Sequence, residues 1–311
     1  MKVMVSGLVN IETTLKIYGF PIHYYPIDYP FYGIHSDVAG VAYNLTRALS
    51  TLGDDVELVS FLGKDDEGER ILKRLQSEGI AIDNIMADLN ETPSSVVLYD
   101  GKGKRQVYCD LKDIQEKNIS NEDGNVINCM KSCDLFIACN INFNRPLMKK
   151  AKELDKLIAT DVHVISDIED SFNSEFMNCA DILFLSNEQL PCKPENFIDK
   201  LRSRYTNQII VIGLGEQGAM LYERRDDKIY KFESVKCSAV INTVGAGDAL
   251  FSGFLHYYLK GYNSVEAIMR AEIFASIKIG CNGAANGFCD EKKIEEVLLN
   301  EKFAIHEIGL E

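Results

Sequence analysis

The sequence predicts an α/β fold in which a mostly parallel sheet is covered by helices on both faces and carries a small β-appendage. Three observations predict it. Short apolar runs rich in β-branched residues alternate with amphipathic helical patterns, the rhythm of parallel strands joined by crossover helices. Two stretches, 13–37 and 94–109, break that rhythm with aromatics, prolines and glycines. A chain of 311 residues with 46% hydrophobic content can bury a large core, enough for one α/β domain, 1–311, into which those two stretches are inserted.

In chain order, the strand candidates are KVMVSGL from Lys2, VELVSFL from Val56, LFIAC from Leu135, VHVISD from Val162, DILFL from Asp181 and QIIVIG from Gln208. Each is too short for a buried helix. Helical patterns fall near 41–52, 67–78, 145–156 and 195–204. In the first, Val41, Ala42, Leu45, Ala48, Leu49 and Leu52 form a stripe closed by Gly53. Asn44 lies off that stripe near the N-terminus and reads, on this pattern alone, as a local cap. SSVVLYDGKGKRQVYC reads as a hairpin turning at Asp100 and Gly101. Gly213, Gly215 and Gly218 spell GxGxxG, but a dinucleotide fingerprint must open a helix. AMLYERRDDKIYKF follows instead and reads as two strands, so a strand-turn-strand edge is expected there. Whether a phosphate or nucleotide lies nearby or the hairpin is purely structural stays open.

Composition excludes several functions. A net charge of −14 disfavours general nucleic-acid or anionic-membrane binding, which rely on excess Lys and Arg. No apolar run approaches a membrane span, and MKVMVSGLVNIE turns polar too soon for a signal peptide, so a cytoplasmic protein is expected. The nine cysteines form no CxxC pair and read as buried free thiols, and the five histidines form no HxxxH.

INTVGAGDALFSGFL, from Ile241, carries the chemistry. Leu250, Phe251, Phe254, Leu255, Tyr258 and Leu259 mark a buried helix. Gly245 and Gly247 at its start leave backbone N–H groups free for an anion. Asp248 would repel that anion, so either it is a solvated first-turn acid complementing the helix dipole or it takes a proton.

Both ends of the chain resemble the ribokinase-like (PfkB) carbohydrate kinases. Ala39, Gly40, Ala42, Asn44 and Thr46, then Gly53 and Gly63, are similar to that family's N-terminal signature. Asn242, Thr243, Gly245, Ala246, Gly247 and Asp248, followed by Ser252 and Gly253, are similar to its C-terminal one, and GKDDEG and LQSEGIAID resemble two further elements. The resemblance implies a three-layer ribokinase-like sandwich with a β-sheet lid made by 13–37 and 94–109, and a homodimer through that lid. It implies a kinase using ATP with Mg²⁺ on the primary hydroxyl of a sugar or nucleoside. Asp248 would be the base, with Gly245, Ala246 and Gly247 beside it in the catalytic turn and the N–H groups around Ala246, Gly247 and Asp248 holding the charge on the transferred phosphoryl group. The acceptor would sit by Asn10, Glu12, Gly40 and Asn44. ATP would lie by Asn187, the Gly213, Gly215 and Gly218 turn, Thr243, and a loop containing Gly283 and Asn286.

Three positions depart from the family pattern. Glu12 stands for an Asp that binds substrate. Leu190 replaces the Glu of an NxxE element, leaving Glu188 as the candidate metal ligand. Asn242 replaces an Asp that helps relatives bind an activating monovalent cation, so little dependence on K⁺ is expected. Val41 offers no cation for a phosphorylated acceptor, and Lys102, Lys104 and Arg105 of the hairpin are the lid's own candidates. Two other readings stay open: a sugar-binding pseudokinase acting as a sensor, and a vitamin kinase of the pyridoxal type.

Overall fold

The computed structural model describes residues 1–101, 104–120 and 124–309; Lys102 lies outside them. In chain order the strands begin with β1 (Lys2–Ser6), β2 (Asn10–Lys16), β3 (Ile34–Ala39), β4 (Asp55–Gly63), β5 (Ile85–Leu89), β6 (Ser94–Tyr99) and β7 (Arg105–Asp110). Next come β8 (Leu135–Ala138), β9 (Leu157–Val164), β10 (Ile182–Ser186), β11 (Ile209–Gly213), β12 (Ala219–Glu223), β13 (Lys228–Phe232) and β14 (Ile305–Ile308). Ten of these form one sheet in the order β14-β13-β12-β11-β10-β9-β8-β1-β4-β5, parallel from β11 to β5 and antiparallel beyond β11.

Period-two alternation splits the core into the two faces of a three-layer sandwich. Val3 and Val5 of β1 point into one apolar cluster, Met4 into the other. On the first face pack α1 (Val41–Thr51), α7 (Ala246–Leu259) and α8 (Ser264–Lys278), with α2 (Asp66–Ser77) and α9 (Glu291–Leu298) beside them. On the second lie α3 (Gly124–Ser132), α4 (Asn144–Glu153), α5 (Ser174–Cys179) and α6 (Pro194–Arg204). The α1 stripe is wholly buried at Ala42, Leu45, Ala48 and Leu49. Each such leucine contributes roughly 1.5–3 kcal/mol over an exposed one. No helix among the described residues is long and apolar enough to cross a membrane.

A separate sheet, in the order β3-β2-β6-β7, is drawn from the two stretches that break the α/β rhythm, starting already at Asn10 and ending at Ala39 and Asp110. Its pleat gives two faces. Glu12, Thr14, His35, Asp37 and Tyr99 line a cavity on one, whereas Val96 and Tyr108 stand opposite one another on the other. The GxGxxG segment is indeed strand-turn-strand, β11 pairing antiparallel with β12 through a single 3-10 turn at Gly215–Gln217.

The strand read at VHVISD runs instead over LIATDVHV and ends at Val164. Thr160 is buried with its hydroxyl donating to Ala138 O at 2.6 Å, so a polar residue sits inside the strand that the apolar pattern begins after.

Candidate active site

The residues singled out above gather at the carboxyl ends of the parallel strands, where open α/β sheets leave a ligand crevice. Just past β1 the chain turns into β2 and presents Asn10 and Glu12. Gly40 caps α1 at φ 105°, and a Cβ there would lie 2.5 Å from Leu8 O. Only glycine lets α1 start that close to the β1–β2 turn. That closeness carries Asn44, one turn into α1, into the crevice.

Asn44 is therefore not a local cap. Its Nδ2 donates to Asp248 Oδ2 at 2.7 Å, joining two residues 204 positions apart in the chain. Asp248 occupies the first turn of α7, whose N-cap Gly245 adopts φ 80°. A Cβ on Gly245 would meet Ala284 O at 2.4 Å, so the 280–287 loop packs directly on this turn. The first bond inside α7 runs from Ala249 N–H to Gly245 O. Ala246, expected to offer its N–H to an anion, donates it to Thr243 O at 3.2 Å to close the turn. Among the described residues, the N–H groups of Gly247 and Asp248 are the open donors at this helix start.

Charges around Asp248 set its basicity. Burial pushes its carboxyl above the ordinary carboxylate range, and the charge of Asp161 adds to this. The Asn44 amide and the cations His163 and Lys278 pull the other way. Glu12 is raised too, by burial and by Asp248. His163 lies at the end of β9 with Asp161 at 3.6 Å. Burial works against its charge, but Asp161 outweighs it and lifts the imidazole to about 9. With its side chain 39% exposed, water tempers that pair. Neither His163 nor Lys278 carries a sequence signal, because one sits in a strand pattern and the other in an apolar helix.

Two buried acceptors in this region have no partner among the described residues. Asn10 Nδ2 donates to Ser95 Oγ at 3.0 Å while its Oδ1 is unpaired, and Asn44 Oδ1 is unpaired as well. A buried polar atom left unsatisfied costs about 1–3 kcal/mol, which a ligand hydroxyl would recover.

Beside them a cavity of about 210 Å³ is lined by Glu12, Asp37, Tyr43, Arg74, Tyr99 and Asn242, among others. Asp248 does not line it; Glu12 connects the two. Gly283 and Asn286, expected next to ATP, line this same cavity. Arg74 is a cation that sequence reading missed, and it is spoken for: its Nη2 donates to Asp37 Oδ1 at 2.5 Å. Of the hairpin cations, Arg105 donates to Thr243 O at 3.3 Å and Lys104 stacks 5.5 Å over Phe20.

Further along the sheet edge, Asn187 N–H donates to Gly213 O at 3.0 Å, bringing two of the expected nucleotide residues together at the ends of β10 and β11. Gly218 opens β12 with its backbone against Phe232 and Ser234. Leu190 packs against the second core cluster. Magnesium that travels with a nucleotide keeps several waters and takes one or two protein carboxylates. Exposed Glu188 fits that modest demand, and among the described residues no group of three His, Cys, Asp or Glu could form a dedicated cage.

Comparison with known proteins fits this fold. The family model described as "pfkB family carbohydrate kinase" matches residues 2–292. A ribokinase of Dictyostelium discoideum is 24% identical over 287 residues, covering 82% of this chain and 87% of its own. A nucleoside kinase of Methanothermobacter thermautotrophicus is 26% identical over 237 residues, covering 71% and 72%. Among solved structures, the microbiome-derived acarbose kinase Mak1 superposes with a TM-score of 0.85 at 20% identity, over 96% of this chain and 98% of that one. The chain belongs to the pfkB family of carbohydrate kinases. It is a ribokinase-fold phosphotransferase, a carbohydrate or nucleoside kinase.

Proposed function

We propose that the enzyme transfers the γ-phosphoryl group of ATP to the primary hydroxyl of an unphosphorylated sugar or nucleoside, with Asp248 as general base. The observation that carries this reading is the pairing of a half-buried, basic carboxylate with two buried amide oxygens that have no partner among the described residues. Asp248 is aimed by Asn44, and Asn10 Oδ1 and Asn44 Oδ1 wait for donors. A polyol supplies such donors from its ring hydroxyls while offering its CH₂OH to the base. The hydroxyl proton passes to Asp248, the alcohol oxygen bonds to the γ-phosphorus, and the bond to the β-phosphate oxygen breaks to release ADP. Phosphoryl transfer asks mainly for positioning and charge stabilisation. The N–H groups of Gly247 and Asp248 supply that stabilisation on the open start of α7.

The charge of the cavity favours an acceptor without its own phosphate. Glu12 and Asp37 line it against one cation, Arg74, which Asp37 already holds. ATP lies toward Asn187, Gly213 and Gly215, and Mg²⁺, held in part by Glu188, neutralises its phosphates when bound. The small sheet acts as the lid over the acceptor, and its outer face joins two subunits.

The test is Asp248→Asn. With an acceptor found in a kinase-coupled screen of sugars, nucleosides and their phosphates, kcat should drop about 10²-fold or more while ATP affinity changes little. Wild-type turnover in the variant would reduce Asp248 to a helix-start acid. A preference for sugar phosphates over parent sugars would overturn the assignment of the acceptor.

A further inference from the structure

Lys278 is the last residue of α8, and none of its side chain reaches solvent. A lysine in the last helical turn ordinarily complements the helix dipole from the surface. This one instead turns inward, and its ammonium donates to the backbone carbonyl of Val244. Val244 belongs to the turn that delivers Gly245, Gly247 and Asp248. The charges of Asp248 and Glu12 attract the ammonium, Arg105 repels it, and it forms no ion pair among the described residues. Burial lowers its pKa to about 8, which leaves it protonated at neutral pH.

The family signature implies a monovalent cation beside Asn242, and the residues present do not fit one. Such an ion needs several free oxygens and draws most of its binding from an anionic ligand. Asn242 is neutral, and its Oδ1 already accepts from Val244 N–H at 2.9 Å. The carbonyl of Ile279 accepts from the N–H groups of both Ile241 and Asn242, at 2.9 and 3.1 Å. Val244 O belongs to the lysine. A second cation placed here would meet a buried like charge.

We infer that Lys278 is a positioning residue that supplies from within the chain the positive charge at the Val244 carbonyl, so that the phosphoryl-binding turn is held without a free monovalent cation. In a trans peptide the C=O and N–H point to opposite sides. Capturing the carbonyl of Val244 therefore directs the N–H of Gly245 away from the lysine and fixes the plane from which α7 starts. The inference rests on the reading of this turn as the phosphoryl site.

Two measurements test it, one independent of turnover. In differential scanning fluorimetry with tetramethylammonium as the balancing ion, K⁺ and NH₄⁺ should leave the melting temperature of the unmodified protein unchanged. The same ions should raise that of Lys278→Ala, which leaves room for them. In the kinase assay, Lys278→Ala should lose about tenfold or more in kcat and regain part of it with NH₄⁺, whereas Lys278→Met, neutral but filled, should lose as much and not be rescued. Lys278→Arg should retain more activity than either. Strong K⁺ stabilisation or activation of the unmodified protein overturns the inference, as does wild-type kcat in a folded Lys278→Met. If the unmodified protein turns over no acceptor, the kinase reading fails by itself and the melting series still decides whether the lysine replaces the ion.

Discussion

Asp248 shows how one side chain's chemistry is set by residues far away in sequence. Burial raises its pKa, and the Asn44 amide at 2.7 Å is foremost among the groups that lower it again. Removing the amide should therefore raise the pKa further. A base works only when deprotonated, so activity is lost as pH falls through that pKa, and a higher pKa moves the acid limb toward neutrality. For Asn44→Ala the acid limb of kcat/KM should move to higher pH, with a lower plateau, measured across a buffered series. An unmoved limb would mean that the contact does not act on the base. The glycines and the acid of the C-terminal signature were legible as residues because glycines that free N–H groups for an anion stand directly beside a carboxylate that would repel it. Asn44's partner was not, since periodicity reports only neighbours within a few residues and Asp248 is 204 away. The same holds for Arg74, whose place in the cavity depends on how α2 meets β3.

At the scale of elements, legibility followed one-sidedness. β1, β4, β8, β10 and β11 are short apolar runs between polar ends and were readable, as was α1 with its single stripe. α8 was missed because it is buried on more than one side: Ala267, Ile268, Ala271, Ile273, Phe274 and Ser276 are all enclosed. β2 and β3 were not separable as strands because their apolar residues lie on a partly exposed sheet. α8 also encloses Glu272, only 6% exposed, whose carboxyl burial alone pushes up to about 8. A carboxyl raised in the folded state holds more protons there than in the unfolded chain, so stability falls as pH rises from about 4.5 toward 8. Glu272→Gln removes that loss. It should be more stable than the parent by on the order of 5 kcal/mol above about pH 8, the gain shrinking to nothing near pH 4.5, as read from urea midpoints. A gain that stayed constant with pH would mean that the residue's charge is not the cause.

For the whole molecule, the small sheet has two faces with different work. A one-residue register slip would exchange them, so the pairing of Glu12 with Ser95 and Asp37 is what turns the acids toward the cavity. The same register turns Val96 and Tyr108 outward, 41% and 53% exposed, with Ile34 at 59% on the same face. The β2–β3 connection adds Tyr18, Tyr24, Phe31 and Tyr32, each more than four-fifths exposed. So many exposed large apolar side chains on one small sheet and its connection are what an interaction surface presents. The net charge of −14 keeps subunits apart unless such a face joins them. Light scattering coupled to size exclusion should therefore report twice the chain mass at micromolar concentration. Tyr108→Glu, which places a charge on that outward face at the edge strand β7, should report the single chain. Because the opposite face of the same sheet carries Glu12, the monomer should also show a several-fold higher KM for the acceptor with the KM for ATP little changed. A single-chain mass for the unmodified protein, or an unchanged mass for Tyr108→Glu, would mean that subunits do not meet through this sheet.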